Sequence, residues 1–552
     1  MSGKAGAGSS AECADGAADD VEAEVGVGVD AVVAAALRSG SRRGLRRVPF
    51  GSGRFVENSL YSRQADDFNR AIVHARPSAC KPVMTESTPS PAVAPLPQTE
   101  LPPTTLGGIL RRLGPGLIIA ASIVGSGELI GTTKTGADAG YSLLWLILIG
   151  CVIKVFVQVE FGRYAVAEGG STIAGLDQVP GPRWRVGWLV WAWLAMFVTS
   201  ALGQLGGILG GVGQLLTFKY PLSSNPQTDD LVYSFAVAVV TAVLLVVGRY
   251  RVVQNVSTVL VAGFTAVTVF NVFALPSFSQ AQVGWDHLRS GLTFSLPEKQ
   301  GALTTALATF GIIGVGASEL IAYPYWCLEC GYARFTGVRD SSAGWAERAR
   351  GWMRVMRWDA WCSMVIYTFA TIAFYVLGAA VLHPRGLSPA REGMISTLAK
   401  MYEDVFHPWG DEVFLFGAFA VLYSTLFVAT AGNARVAADA LGVYGLVDRS
   451  DAARRRWTRY LCGAFPFLQF AVYWWSKDPV ALVIVAGLAQ AMLLPLLGGA
   501  ALYYRYRRCD PRIAPGAVWD GFLWLSTAGL AVAGVWGAYA ELAKIWKAAT
   551  GG

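Results

Sequence analysis

The stretch Ile123-Val124-Gly125-Ser126-Gly127-Glu128-Leu129-Ile130-Gly131 decides how the chain is read. It returns in altered form as Gly314-Val315-Gly316-Ala317-Ser318-Glu319-Leu320-Ile321-Ala322. Each copy sets small residues just before Glu-Leu-Ile inside a hydrophobic run. Gly and Ser in a membrane helix commonly serve close packing between helices. Packing does not account for a carboxylate, because an acidic side chain at mid-membrane costs roughly 2.5–3.5 kcal/mol even on the mildest scale. Glu128 and Glu319, at matched places in two interrupted runs, therefore point to a site for a solute or an ion.

Around these two runs, apolar segments long enough to cross a hydrocarbon core as helix fall at 114–132, 141–166, 187–216, 231–248, 252–275, 303–328, 358–382, 412–432, 458–475, 479–503 and 517–540. Assigning the intervening loops to alternate sides puts 23 Lys and Arg on one side and 10 on the other. The positive-inside rule then predicts a cytoplasmic N-terminus and an outside C-terminus. The first and sixth spans start an odd number of crossings apart, so they enter the membrane from opposite sides. Gly-interrupted spans in corresponding places of two inverted halves mark the midplane site of a secondary transporter.

The composition agrees with a multi-pass membrane protein. Of 552 residues 53% are hydrophobic and 15% charged, with a mean hydropathy of +0.43, whereas soluble domains carry about 25% charged residues. The net charge of +7 follows from basic loops facing anionic lipid, as in 334–357, and does not call for a nucleic-acid partner. Eight Cys lie scattered, and the close pair Cys327 and Cys330 has no second pair to complete a zinc site. No phosphate-binding loop, nucleotide-binding domain or Ser/His/Asp arrangement is found, so the sequence predicts neither an enzyme nor an ATP-driven pump and no resident cofactor. Residues 1–105, rich in Ala, Gly, Ser, Pro and Arg, are expected to be a disordered cytoplasmic segment without a signal peptide. The run from Met84 would make an ordinary short N-terminus, which leaves 1–83 as an alternative, over-extended start. The transporter domain is placed at 106–552.

Gly114-Pro115-Gly116 opening the first span, Gly136-Ala137, Gly140-Tyr141-Ser142-Leu143-Leu144-Trp145 and Gln158 resemble the Nramp family of divalent-metal transporters. Weaker echoes are Gly311-Ile312-Ile313-Gly314, Asp359, Ala431-Gly432-Asn433, Thr458-Arg459 and Leu494-Pro495. The resemblance implies an all-α LeuT-type fold of two inverted five-helix repeats plus an extra helix. The departures fall on the functional positions. Where the family has Asp-Pro-Gly-Asn, this chain has Gly125-Ser126-Gly127-Glu128; where it has Met-Pro-His, this chain has Ser318-Glu319-Leu320. The acidic proton relay of the third span is missing from 200–207, where Gln204 is the strong polar group.

The expected site is therefore all-oxygen. Glu128 and Glu319 with Gly125, Ser126 and Ser318 would suit a hard divalent cation such as Mg²⁺, Mn²⁺ or Ca²⁺. The two glutamates are expected to meet at metal-bridging distance, with Tyr323 as a secondary contact and Gln490 either lining the pathway or bonding between helices. Lys154 is expected in an ion pair with a glutamate, snorkelling to the interface, as a fixed cation standing in for a coupling ion, or as part of a site for an anionic solute. Glu160 and Arg163 are read as an interfacial pair. Protons could exchange at a coupled carboxylate pair; a charged Lys154 would instead favour uniport. The alternative function is an amino-acid or small organic-solute symporter of the same fold, with Gly125-Ser126-Gly127 presenting N–H groups to a carboxylate. A receptor derived from the transporter scaffold is a third reading.

Overall fold

A computed structural model describes residues 99–550 apart from 249, 279–282, 298, 300 and 392. Eleven long helices dominate it: α1 (Pro115–Ala139), α2 (Leu144–Glu168), α3 (Trp188–Lys219), α4 (Pro226–Val247), α5 (Tyr250–Phe278), α6 (Ala302–Glu329), α7 (Ala343–Leu382), α8 (Gly410–Val443), α9 (Asp451–Ser476), α10 (Pro479–Arg508) and α11 (Ala517–Thr550). Ten of them are apolar and long enough to cross a membrane. The exception is α9, whose first turns carry Arg454, Arg455, Arg456 and Arg459. Its 26 residues would still reach about 39 Å at 1.5 Å per residue, and it packs against α3, α4 and α8.

Local chemistry sets the helix starts. Pro115, Pro226 and Pro479 stand in the first turns of α1, α4 and α10, where a missing N–H is harmless. Asn225, Ser342, Ser450 and Asp478 cap α4, α7, α9 and α10 through their side-chain oxygens. Small residues allow the tight crossings. A Cβ on Gly311 of α6 would lie 1.9 Å from the Gly487 carbonyl of α10, so these backbones touch.

The start of α1 is pinned from α7. Both oxygens of the buried Asp359 accept backbone N–H groups, from Gly114 at 2.9 Å and Gly116 at 2.5 Å. Residues 99–105, expected to be disordered, belong to the same compact unit. The Glu100 N–H donates to the Phe335 carbonyl and its carbonyl accepts from Trp352 Nε1, at 3.1 and 3.0 Å. The described chain is thus ordered ahead of 106, while 1–98, including the alternative start at Met84, lies outside the described residues. Between helices, Arg339 and Arg512 both pair with Asp510. Arg512 foremost, with Arg339 behind it, holds the Asp510 carboxyl well below the usual carboxylate range.

Glu160 and Arg163 form the expected pair at 3.1 Å, and it is buried within the protein. Their side chains are 1% and 5% exposed, and the pair is completed by Trp519 Nε1 on Glu160 and by Arg163 on the Ile513 carbonyl.

Candidate substrate site

Both interrupted spans are broken helices, and the breaks are built alike. The first half of α1, Pro115–Ile123, stops at Val124 and Gly125, and the chain resumes as a π-helical turn over Ser126–Thr132. The first half of α6, Ala302–Ile312, stops at Ile313, and the second half begins at Ala317. Gly314 between them has φ +55°, a left-handed conformation that only glycine adopts without strain.

Each break opens several helical hydrogen bonds, which resume only at the Leu129 and Leu320 N–H groups. A continuous helix would join Gly125 N–H to the Ala121 carbonyl and Gly314 N–H to the Phe310 carbonyl. Instead, Glu128 takes both N–H groups. Its Oε2 accepts from Gly125 and its Oε1 from Gly314, each at 3.3 Å, and Thr371 of α7 donates to Oε1 at 3.2 Å. The abandoned carbonyls find other donors. Ser424 of α8 donates to Ala121 at 2.9 Å and Thr425 to Val124 at 3.3 Å. The Lys154 ammonium donates to the Phe310 carbonyl and, at 2.8 Å, to that of Ile313. Unwound backbone inside a membrane is tolerated only when so satisfied. Close approach is part of the design: a Cβ on Gly125 would stand 2.0 Å from Thr425 Oγ1.

Beside the breaks, toward the start of α1, lies a small cavity of about 20 Å³, room for about one water molecule. Its polar lining is Ser122 of α1, Ser200 and Gln204 of α3, Ser318 and Glu319 of α6, and Thr425 and Asn433 of α8. Glu319 is the single charged group among the lining residues, which include no Met, Cys or His. It stands in the first turn of the second half of α6, where the helix dipole favours negative charge. Hydrogen bonds fix the wall. Ser200 and Ser318 share a hydroxyl contact, Gln204 donates to Ser126 at 3.1 Å, and Gln490 donates to Gln204 at 2.7 Å while accepting the Ser318 N–H at 3.1 Å.

Ser318, Glu319 and Gln204 therefore line the cavity, with Ser126 bonded to Gln204 and Gly125 packed against Thr425 behind it, whereas Glu128 is not among the lining residues. Glu128 is fully buried, is not among the lining residues and spends its oxygens on the two breaks. Lys154 neither pairs with a carboxylate through these bonds nor snorkels, being fully buried on two carbonyls. Tyr323 is no cavity contact, since its hydroxyl donates to Asp359 at 3.1 Å. Gln490 bonds between helices rather than lining the cavity. Sequence reading passed over Ser122, Ser200, Ser424 and Thr425. Paired hydroxyls in mid-run of α8 were the available signal.

A model of the family described as natural resistance-associated macrophage protein-like matches residues 116–539. The chain belongs to the Nramp family. It is 22% identical over 357 residues to a protein of Pasteurella multocida described as uncharacterized, covering 60% of this chain and 70% of that one. It is 24% identical over 283 residues to the divalent metal cation transporter MntH of Caldanaerobacter subterraneus subsp. tengcongensis, covering 50% of this chain and 60% of that protein. With MntH of Mycobacterium leprae the match is 24% over 395 residues, 69% of this chain and 80% of that one. The match thus spans only about three fifths of the first of these MntH proteins. In fold, a variant of the Eremococcus coleocola manganese transporter aligns with a TM-score of 0.58 at 15% identity, over 81% of this chain and 90% of that one. This Nramp-family chain is an integral, multi-pass membrane protein of LeuT-type fold, with its broken first and sixth helices in the expected places.

Proposed function

We propose that this Nramp-family chain is a secondary transporter of a hard divalent cation, Mg²⁺, Mn²⁺ or Ca²⁺, bound beside the broken helices. The observation that carries the reading is the charge of the cavity: one carboxylate, Glu319, among neutral hydroxyl and amide oxygens, with no cationic lining residue among those described. Oxygen donors of this kind match hard cations, and the absence of sulfur or imidazole removes the preference for softer ones. A symporter of amino acids would need a cation or free N–H groups for the solute carboxylate. Lys154 is committed to backbone carbonyls and Gly125 N–H to Glu128, which disfavours that alternative.

With the N-terminus cytoplasmic and the C-terminus outside, as the loop charges favour, the cavity belongs to the cytoplasmic half of the site. Glu128, Glu319 and Lys154 together carry one net negative charge around the α6 break, so a bound divalent ion leaves the site one positive charge in excess. Movement is then electrogenic, assisted by about 2.3 kcal/mol per charge per 100 mV. Because the two glutamates do not share the cavity, the reading is uniport rather than exchange against protons.

The test is uptake by purified protein in liposomes with the membrane potential clamped, comparing Mg²⁺, Mn²⁺, Ca²⁺ and amino acids while lumenal pH is recorded. Uptake of a divalent ion without a matching proton flux is expected. Uptake of amino acids alone would replace the reading, and a stoichiometric proton flux would restore exchange.

A further inference from the structure

We propose that Lys154 is a built-in cation, filling from the chain itself the place where a broken-helix transporter could take a mobile monovalent coupling ion. The functional half of this proposal rests on the transport reading above; the structural half does not. In broken-helix transporters, unwound carbonyls and the C-terminal ends of half-helices are where coupling cations bind. The first half of α6 ends in such a place. Its last turn leaves the Phe310 and Ile313 carbonyls without helical partners, and a helix C-terminus carries about half a negative charge.

Lys154, from the middle of α2, delivers its ammonium to both carbonyls, the Ile313 bond measuring 2.8 Å, with the Phe310 ring centroid 4.7 Å away. The side chain has no solvent exposure. A buried ammonium needs compensation, and two carbonyls, a helix end and an aromatic face supply it. On the other side of the same loop, Glu128 holds the Gly314 N–H at 3.3 Å. Two opposite charges thus clamp one four-residue linker from two helices, and neither faces the cavity.

Two consequences follow. The linker is set without any ion from solution, so transport should be indifferent to Na⁺ and K⁺. Truncating the side chain should also recreate a vacant cation site of matching shape, bounded by two carbonyls and an aromatic ring. Methylammonium, the head and first carbon of the lost side chain, is the probe that fits it.

The experiment compares the full-length wild type with Lys154→Ala, by thermal midpoint in detergent and by Mn²⁺ uptake in liposomes. Media contain Na⁺, K⁺ or choline, each with and without methylammonium. Wild-type uptake should agree within about twofold across the three media, and its midpoint should ignore methylammonium. Lys154→Ala should lose at least tenfold in uptake and several degrees in midpoint, with methylammonium restoring part of both and choline restoring neither. A wild type that requires Na⁺ or K⁺, or a Lys154→Ala protein indifferent to methylammonium, overturns the proposal. If Lys154→Ala does not fold, Lys154→Met keeps the stem and drops the charge, and near-wild-type uptake by it overturns the proposal too. The midpoint needs no transported substrate, so methylammonium rescue without Mn²⁺ uptake would sustain the cation site while refuting the transport reading.

Discussion

At Glu128 a single carboxylate holds the N–H groups released by two helix breaks, while at Glu319 the same local text, Glu-Leu-Ile after a small-residue break, puts a carboxylate on a cavity wall. Each Glu stands three residues past the glycine at the edge of its break, Gly125 or Gly316. The repeated motif was therefore legible, but the division of labour was not, because it depends on what lies opposite: Gly314 and Thr371 across from Glu128, open space and Ser200 near Ser318 across from Glu319. The two residues should separate by experiment. Glu128→Gln leaves one oxygen to accept and turns an NH₂ toward a backbone N–H, costing about 1–3 kcal/mol for a buried unsatisfied donor. Its thermal midpoint should fall by several degrees. Glu319→Gln should keep the wild-type midpoint and lose at least about tenfold in divalent uptake, since it removes the charge facing the ion. Equal midpoints for the two variants would put Glu128 back among the ion ligands.

Among the elements, the spans themselves were readable, since runs of apolar residues interrupted by Gly and Ser have few other readings. What holds the broken halves in place was not, because the caps come from far along the chain. Ser424 and Thr425 reach back to carbonyls about 300 positions earlier, and Asp359 to N–H groups about 240 positions earlier. The π-helical turn over Thr199–Gln204 in α3 likewise has no sequence mark, although it carries Ser200 and Gln204 of the cavity wall. Asp359 offers the test at this scale. It supplies from α7 the acceptor that a helix start ordinarily takes from its own N-cap, and Gly114 offers no side chain for the purpose. Asp359→Ala should cost about 1–3 kcal/mol in stability by leaving the buried Gly116 N–H and the half-buried Gly114 N–H without their acceptor. Limited proteolysis should then cut first near 106–114, and an unchanged cleavage pattern would show that the start of α1 is held by packing instead.

For the whole molecule, electrostatics makes two checkable statements. The first concerns the loops. Asp510 holds Arg512 and Arg339 with its carboxyl depressed, so its stabilisation is fully present above the unfolded aspartate value of about 3.9 and fades as pH falls toward the folded value. The midpoint difference between wild type and Asp510→Asn should hold steady from about pH 5 to 8 and shrink below about pH 4; a difference that grows in acid would assign the effect to another group. The second concerns α9. Ten of the described helices satisfy length and apolarity, and α9 does not, yet the alternation of basic loops is kept only if it crosses as well. It is 26 residues long, and Gln469 from its middle is fully buried, donating to the Ala201 carbonyl of α3 at 3.1 Å and to Thr430 of α8 at 3.1 Å. A helix lying in the interface would not bury an amide between two spanning helices. Its arginines gather in its first turns, where they stay in water while the rest descends, and this lowers its average hydropathy without shortening its apolar part. Eleven crossings would place the termini on opposite sides. Reporters fused to the N- and C-termini should therefore read inside and outside respectively. Both reading inside would mean that α9 does not span, and the loops after it would then defy the charge rule that the rest of the chain obeys.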